Sequence, residues 1–164
     1  MTLNKQISKK SFVHQQDQSD CGIACLLSII KYYDGINTFE NLRNLSGTNT
    51  TGTTLLGLYE AASKLGFTVE GCETNIDLLS NYHSPCILYA HTNHYVICYG
   101  ISPQSLPKRE GQELVFIIGD PAKGIEYWDE KKLTEAWQTK KCLTLVPNEY
   151  FKKPSTLNNN KING

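Results

Sequence analysis

Hydrophobic and polar positions divide the chain into a helical first part and a strand-rich second part. From Gln15 to Asp20 the sequence is polar, and from Ile23 to Ile30 it is almost wholly apolar. Ile23, Leu26, Leu27, Ile30 and Tyr33 recur at helical spacing, and Ser19 and Asp20 are good N-cap residues. The pattern therefore predicts a helix from about Cys21 to Tyr33. Apolar on nearly every side, this helix belongs at the centre of the fold, with Gly35 as its expected left-handed cap. A short helix over Phe39 to Leu45 follows, then a loop over 46–52. Thr53 is expected to cap a further helix with Leu55, Leu58, Ala62 and Leu65 on one face, ended by Gly66.

After Gly66 the runs become short, β-branched and aromatic. Phe67 to Cys72, Cys86 to Ala90, His94 to Gly100, Leu114 to Asp120, Ile125 to Trp128 and Leu143 to Val146 read as strands. The short link His91-Thr92-Asn93 makes an antiparallel hairpin of the second and third. Ser102 to Gln112, rich in Pro, Lys, Arg and Gly, reads as a surface loop. Short helices are expected over Ile76 to Leu79 and from an Asp129 cap to about Trp137. Helices first and an antiparallel sheet afterwards make an α+β domain over residues 11–150. Residues 1–10 read as a flexible lead-in. From Pro147 on, polarity and repeated Asn suggest loose chain, with 151–164 a tail or linker.

Composition narrows the function classes. The 164 residues suit one domain, and a formal charge of zero without a basic cluster argues against nucleic acid as a partner. No signal peptide and no membrane-length apolar run is visible, so a soluble cytoplasmic domain is expected. In that reducing setting the six cysteines read as free thiols rather than three disulfides.

Cys21 sits where the polar segment becomes the apolar helix. A thiol in a first helical turn meets unpaired N–H groups and the positive end of the helix dipole, which favour its thiolate. Gly22 would leave room for a substrate backbone. A cysteine nucleophile also needs a base, a group to orient that base, and donors for the oxyanion. His94 opens an apolar strand after a tight turn. Asp120 closes another strand just before Pro121, and Gln15 lies in the loop leading to Cys21. Singly, each of these residues has an ordinary structural role. Cys25, one turn beyond Cys21, reads as a small core thiol rather than a redox or metal partner.

Together the residues form a pattern. Gln15-x-Asp17-x-x-Asp20-Cys21-Gly22-x-Ala24-Cys25-Leu26, then Gly52-Thr53, Leu65-Gly66-Phe67, His94-Tyr95-Val96 and Gly119-Asp120-Pro121-Ala122-x-Gly124 resemble the bacteriocin-processing peptidases. These are papain-like cysteine peptidase domains at the N-terminus of peptidase-containing ABC transporters, which remove leader peptides after a double-glycine motif. The resemblance implies a papain-like fold in which a nucleophile helix packs on an antiparallel sheet. It makes Cys21 the nucleophile, His94 the general base and acid, Asp120 the orienting acid and Gln15 the oxyanion donor. It further implies a precursor peptide as substrate, the membrane and ATPase parts of an exporter as partners, work at the cytoplasmic face of the membrane, and no cofactor or metal. Two other readings compete, a leader-binding domain without catalysis and another papain-like hydrolase such as a cell-wall endopeptidase or amidase. Retention of Cys21, Gln15 and His94 speaks against the first.

Overall fold

A computed structural model of the chain describes residues 8–90, 93–105 and 111–153. Helices α1 (Cys21–Tyr32), α2 (Phe39–Ser46) and α3 (Leu55–Lys64) come first, then strand β1 (Phe67–Glu73) and a short α4 (Ile76–Ser80). Strands β2 (Cys86–Ala90), β3 (His94–Ile101), β4 (Val115–Asp120) and β5 (Gly124–Asp129) follow, and α5 (Glu130–Ala136) leads to β6 (Lys141–Pro147). The six strands form one sheet in the order β1-β6-β2-β3-β4-β5, every neighbour antiparallel. This is the expected α+β arrangement.

The central strands read as continuous apolar runs because both faces of the sheet are covered. Ile87, Ile97, Ile117 and Leu143 join one core with Ile23, Leu26 and Ile29 of α1 and Leu42 and Leu58 of α2 and α3. Their sequence neighbours Cys86, Leu88, Cys98, Ile118 and Cys142 face the other way, into a second core closed by Leu79, Leu133 and Trp137. Period-two alternation thus survives inside the apolar runs as a choice of core. Every residue of α1 from Cys21 to Ile30 is buried, so the helix that carries Cys21 is wedged between the sheet and its two companion helices. Full burial of Ile23, Leu26 and Ile29 is worth about 1.5–3 kcal/mol each.

Local capping differs from expectation at three places. The left-handed residue after α1 is Asp34, with φ 67°; Gly35 is needed because a Cβ there would lie 2.7 Å from Phe151 and 2.8 Å from Ile30. Thr54, not Thr53, caps α3, its hydroxyl accepting from the Gly57 N–H at 2.9 Å. Asp20 stands at the N-cap position of α1, yet its side chain makes no capping hydrogen bond there. The loose chain expected from Pro147 is packed as far as Phe151, whose ring lies 5.0 Å from that of Phe67. Residues 8–11, within or beside the expected lead-in, are helical, with Ser8 and Ser11 buried. The rest of the lead-in, two residues of the β2–β3 link, the middle of the Ser102 to Gln112 loop and the tail beyond Lys153 lie outside the described residues.

Candidate active site

Three elements bring Cys21, His94 and Asp120 to one end of the sheet. Cys21 opens α1, His94 opens β3 beside its hairpin turn, and Asp120 closes β4 against the turn into β5. The β2–β3 pairing runs from Cys86↔Cys98 to Ala90↔His94, as the hairpin expectation required. Because β3 and β4 are antiparallel neighbours, the start of one lies next to the end of the other. His94 Nε2 and Asp120 Oδ1 are 2.7 Å apart, and the same oxygen accepts from the Ala122 N–H at 3.0 Å.

With Nε2 committed to the carboxylate, the other ring nitrogen is left for the thiol, and His94 and Cys21 shift each other's pKa. The three groups charge one another. Burial works to raise the Cys21 pKa. The His94 hydrogen bond, the Tyr95 and Gly22 backbone N–H groups and the imidazolium charge outweigh it and leave the thiol below its ordinary value. The hydrogen bond to Asp120, then that to Cys21, raises His94 to about 9. Burial also works to raise Asp120, but His94 and the Ala122 N–H hold its carboxyl below the usual range. The three shifts run in the direction that favours a thiolate beside an imidazolium and a carboxylate.

Gln15 is placed by its loop. Val13 N–H donates to Ser28 Oγ on α1 at 2.9 Å, and Gln15 N–H donates to the Pro121 carbonyl at 2.9 Å. One end of the loop is therefore sewn to α1 and the other to the residue after Asp120. Gln15 Oε1 is buried with no hydrogen-bond partner among the described residues. Cys25 is fully buried and its thiol pushed up by that burial, as a core residue would be.

Gly22 does not leave room for substrate as expected. A Cβ there would meet Tyr95, Leu58 and Thr53 at 3.2–3.3 Å, so the glycine lets α1 close on β3 and α3. Pattern reading gave no role at the site to Asn93, Tyr95 or Arg43. Asn93 adopts φ 56° at the hairpin turn, and its carbonyl lies 4.0 Å from Cys21 Sγ. Tyr95 is buried and donates its hydroxyl to the Thr53 carbonyl at 2.7 Å, fixing the opposite wall of the cleft. Arg43 forms a two-pronged ion pair with Asp20, Nη2 to Oδ2 at 2.6 Å and Nε to Oδ1 at 3.1 Å. The partners are 23 positions apart, beyond the reach of any local spacing rule.

Cys21 lies in a cleft whose rim includes Gly47, Gly52, Thr51, Tyr89 and Asn93. Leu55 and Lys141 belong both to this cleft and to a neighbouring apolar groove that adds Leu56, Tyr59 and Leu143. Among the described residues no group of His, Cys, Asp and Glu could hold a metal ion, and no helix is long and apolar enough to cross a membrane.

Residues 9–150 match the model of the peptidase C39 family. The chain belongs to this family. Among its relatives are the lactococcin-G-processing and transport ATP-binding protein LagD of Lactococcus lactis subsp. lactis and the pediocin PA-1 transport/processing ATP-binding protein PedD of Pediococcus acidilactici. LagD is 36% identical over 121 residues, 70% of this chain and 16% of that protein. PedD is 33% identical over 118 residues, 68% of this chain and 15% of that protein. The chain thus matches only about a sixth of the length of these relatives. Among solved structures, the peptidase domain of Streptococcus ComA, a bifunctional ABC transporter of a quorum-sensing pathway, superposes with TM-score 0.71 at 31% identity. The match covers 83% of this chain and 97% of that one. A double-glycine-motif protease from an AMS/PCAT transporter, solved with its leader peptide, also gives TM-score 0.71, at 25% identity over 83% and 90% of the two chains. The fold is accordingly papain-like, and the family membership is that of a cysteine peptidase.

Proposed function

We propose that this chain is the processing domain of a peptide exporter and cuts the leader from a precursor after a double glycine, with Cys21, His94 and Asp120 as its catalytic triad. The single observation that carries this is the 2.7 Å His94–Asp120 pair beside a pKa-lowered Cys21 at a helix start. A domain that only bound leaders would have no use for that charge state. The double-glycine substrate and the exporter come from relatives whose processing and transport roles are named, and from the protease solved with a leader peptide.

In the reaction, Cys21 Sγ attacks the carbonyl carbon of the second leader glycine. The new oxyanion is held by the Cys21 N–H and the Gln15 side-chain amide. His94 delivers its proton to the leaving amine, and the C–N bond breaks to leave a thioester on Cys21. Water then gives a proton to His94 and its oxygen to the acyl carbon, and Cys21 leaves as thiolate. Asp120 holds Nε2 so that the other ring nitrogen faces the sulfur.

The cleft and groove supply a basis for specificity. A rim of Gly47, Gly52 and Thr51 facing Tyr89 and Asn93 suits a chain without side chains at the two positions before the scissile bond. The adjoining groove, with Leu56 65% and Tyr59 41% exposed, suits the apolar face of an amphipathic leader helix. The test is to incubate the purified chain with a synthetic precursor bearing a double-glycine leader and to weigh the products. Wild type yields fragments ending and beginning at the Gly-Gly bond, and Cys21→Ala yields none while still binding the precursor. An intact precursor with wild type, or cleavage by Cys21→Ala, contradicts the proposal.

A further inference from the structure

We propose that Arg43 is a positioning residue for this reaction, acting through Asp20 to set the distance between the Gln15 amide and the Cys21 N–H. The inference rests on the catalytic reading above and extends it to a residue that touches neither substrate nor reacting atoms. Asp20, the residue immediately before the nucleophile, has a side chain only 1% exposed. A carboxylate so buried needs a partner that satisfies both oxygens. The Arg43 guanidinium, presented by α2, takes one oxygen with Nη2 and the other with Nε. Oδ2 also accepts from the Asp17 N–H at 3.2 Å.

The same guanidinium reaches further along the loop. Its Nη2 donates to Gln16 Oε1 at 3.3 Å and lies 3.8 Å from Asp17 Oδ2. The Phe39 ring, 5.6 Å from its central carbon, supports the cation from below. One side chain therefore grips residues 16, 17 and 20 of the five-residue stretch separating Gln15 from Cys21. At its far end that stretch is tied to Pro121 through the Gln15 N–H. With both ends held, the backbone that carries the two proposed oxyanion donors is fixed. Lysine at 43 would keep the charge and lose the fork.

The test uses three readouts on the full chain with Arg43→Lys. A displaced oxyanion donor should lower kcat on the double-glycine precursor by about tenfold to a hundredfold with KM unchanged. A peptide aldehyde ending in glycinal, whose adduct with Cys21 places an oxyanion between the same donors, should bind more weakly by a similar factor. Alkylation of Cys21 by iodoacetamide needs the thiolate but no oxyanion hole, so its rate and pH dependence should stay at wild-type values. Asp20→Asn, which keeps the shape and removes the charge, should show the same split, and decides the matter if Arg43→Lys does not fold. Wild-type turnover in the variants overturns the proposal, as does a loss of all three readouts in step with the unfolded fraction. If wild type leaves the precursor intact but binds the aldehyde, the double-glycine reading fails and aldehyde affinity alone judges Arg43. If wild type forms no aldehyde adduct, both fall.

Discussion

His94 holds its proton up to about 9 because Asp120 accepts from it and Cys21 stabilises its charge. Cys21 loses its proton below the ordinary thiol value of 9.0. The reactive thiolate–imidazolium pair therefore exists above the lowered thiol pKa and disappears as pH rises through about 9. The His94 contribution to folding has the same sign: it is complete below 6.5, where the unfolded chain is also protonated, and is lost as pH passes about 9. Asp120→Asn removes the main support of the imidazolium. We expect kcat/KM to fall about a hundredfold and the alkaline limb of its pH profile to move below 9, measured by initial rates across pH. An unmoved limb would mean that Asp120 does not act through His94. At this scale the three residues that the fold brings together were legible because each marks a boundary in the polarity pattern: Cys21 opens an apolar helix, His94 opens an apolar strand and Asp120 closes one. Arg43 was not, because an Arg on a short amphipathic helix has the sequence signature of any solvated cation. Only the fold brings it to Asp20.

Among the elements, the helices and strands followed from apolar spacing, while their joints did not. Capping depends on which of two adjacent hydroxyls turns toward the helix, and Thr53-Thr54 offers both. Thr54 takes the cap, while Thr53 hydrogen-bonds Thr48 at 2.6 Å and receives the Tyr95 hydroxyl on its carbonyl. Gly35 and Gly22 were read for backbone freedom and substrate access. Both turn out to be contact points, a property of the packed partner and invisible in the local sequence. Gly57 gives the sharpest case. Helix propensity alone favours alanine at that position in α3 by about 1 kcal/mol. A Cβ there, however, would lie 2.2 Å from the Ser46 carbonyl oxygen, where α2 and α3 cross. We expect Gly57→Ala to destabilise the chain by about 2 kcal/mol in denaturant titrations, because backbone on both sides must shift. A stabilised variant would show that the α2–α3 contact is looser than described.

For the molecule as a whole, the sheet has two covered faces and one working end. Helix α1, with Cys21 at its start, belongs to one core, while the turns carrying His94 and Asp120 stand at the sheet's end. In the proposed function substrate specificity is separable from catalysis: the Cys21 cleft would hold the scissile bond and the adjoining groove the leader. Leu56→Glu places a charge on the exposed apolar groove without touching the core. It should raise KM for a precursor with a full leader by about tenfold and leave kcat unchanged, as a loss of roughly 1.4 kcal/mol in docking. Equal KM values would put the leader elsewhere. The pattern of the sequence did not reveal this groove, since Leu56 and Tyr59 of α3 meet Leu143 of β6 only in the fold and look like ordinary core residues until then.

The central claim, that Cys21 cuts in a cleft shaped for two residues without side chains, is tested most directly by kcat/KM on two precursors with the same leader. One ends its leader in Gly-Gly and the other in Gly-Val. The account predicts cleavage of the first after the second glycine, dependent on Cys21, and loss of at least about a hundredfold on the second, whose side chain the proposed Gly-Gly subsites would exclude. Comparable rates on the two precursors, or cleavage at another bond, would contradict it.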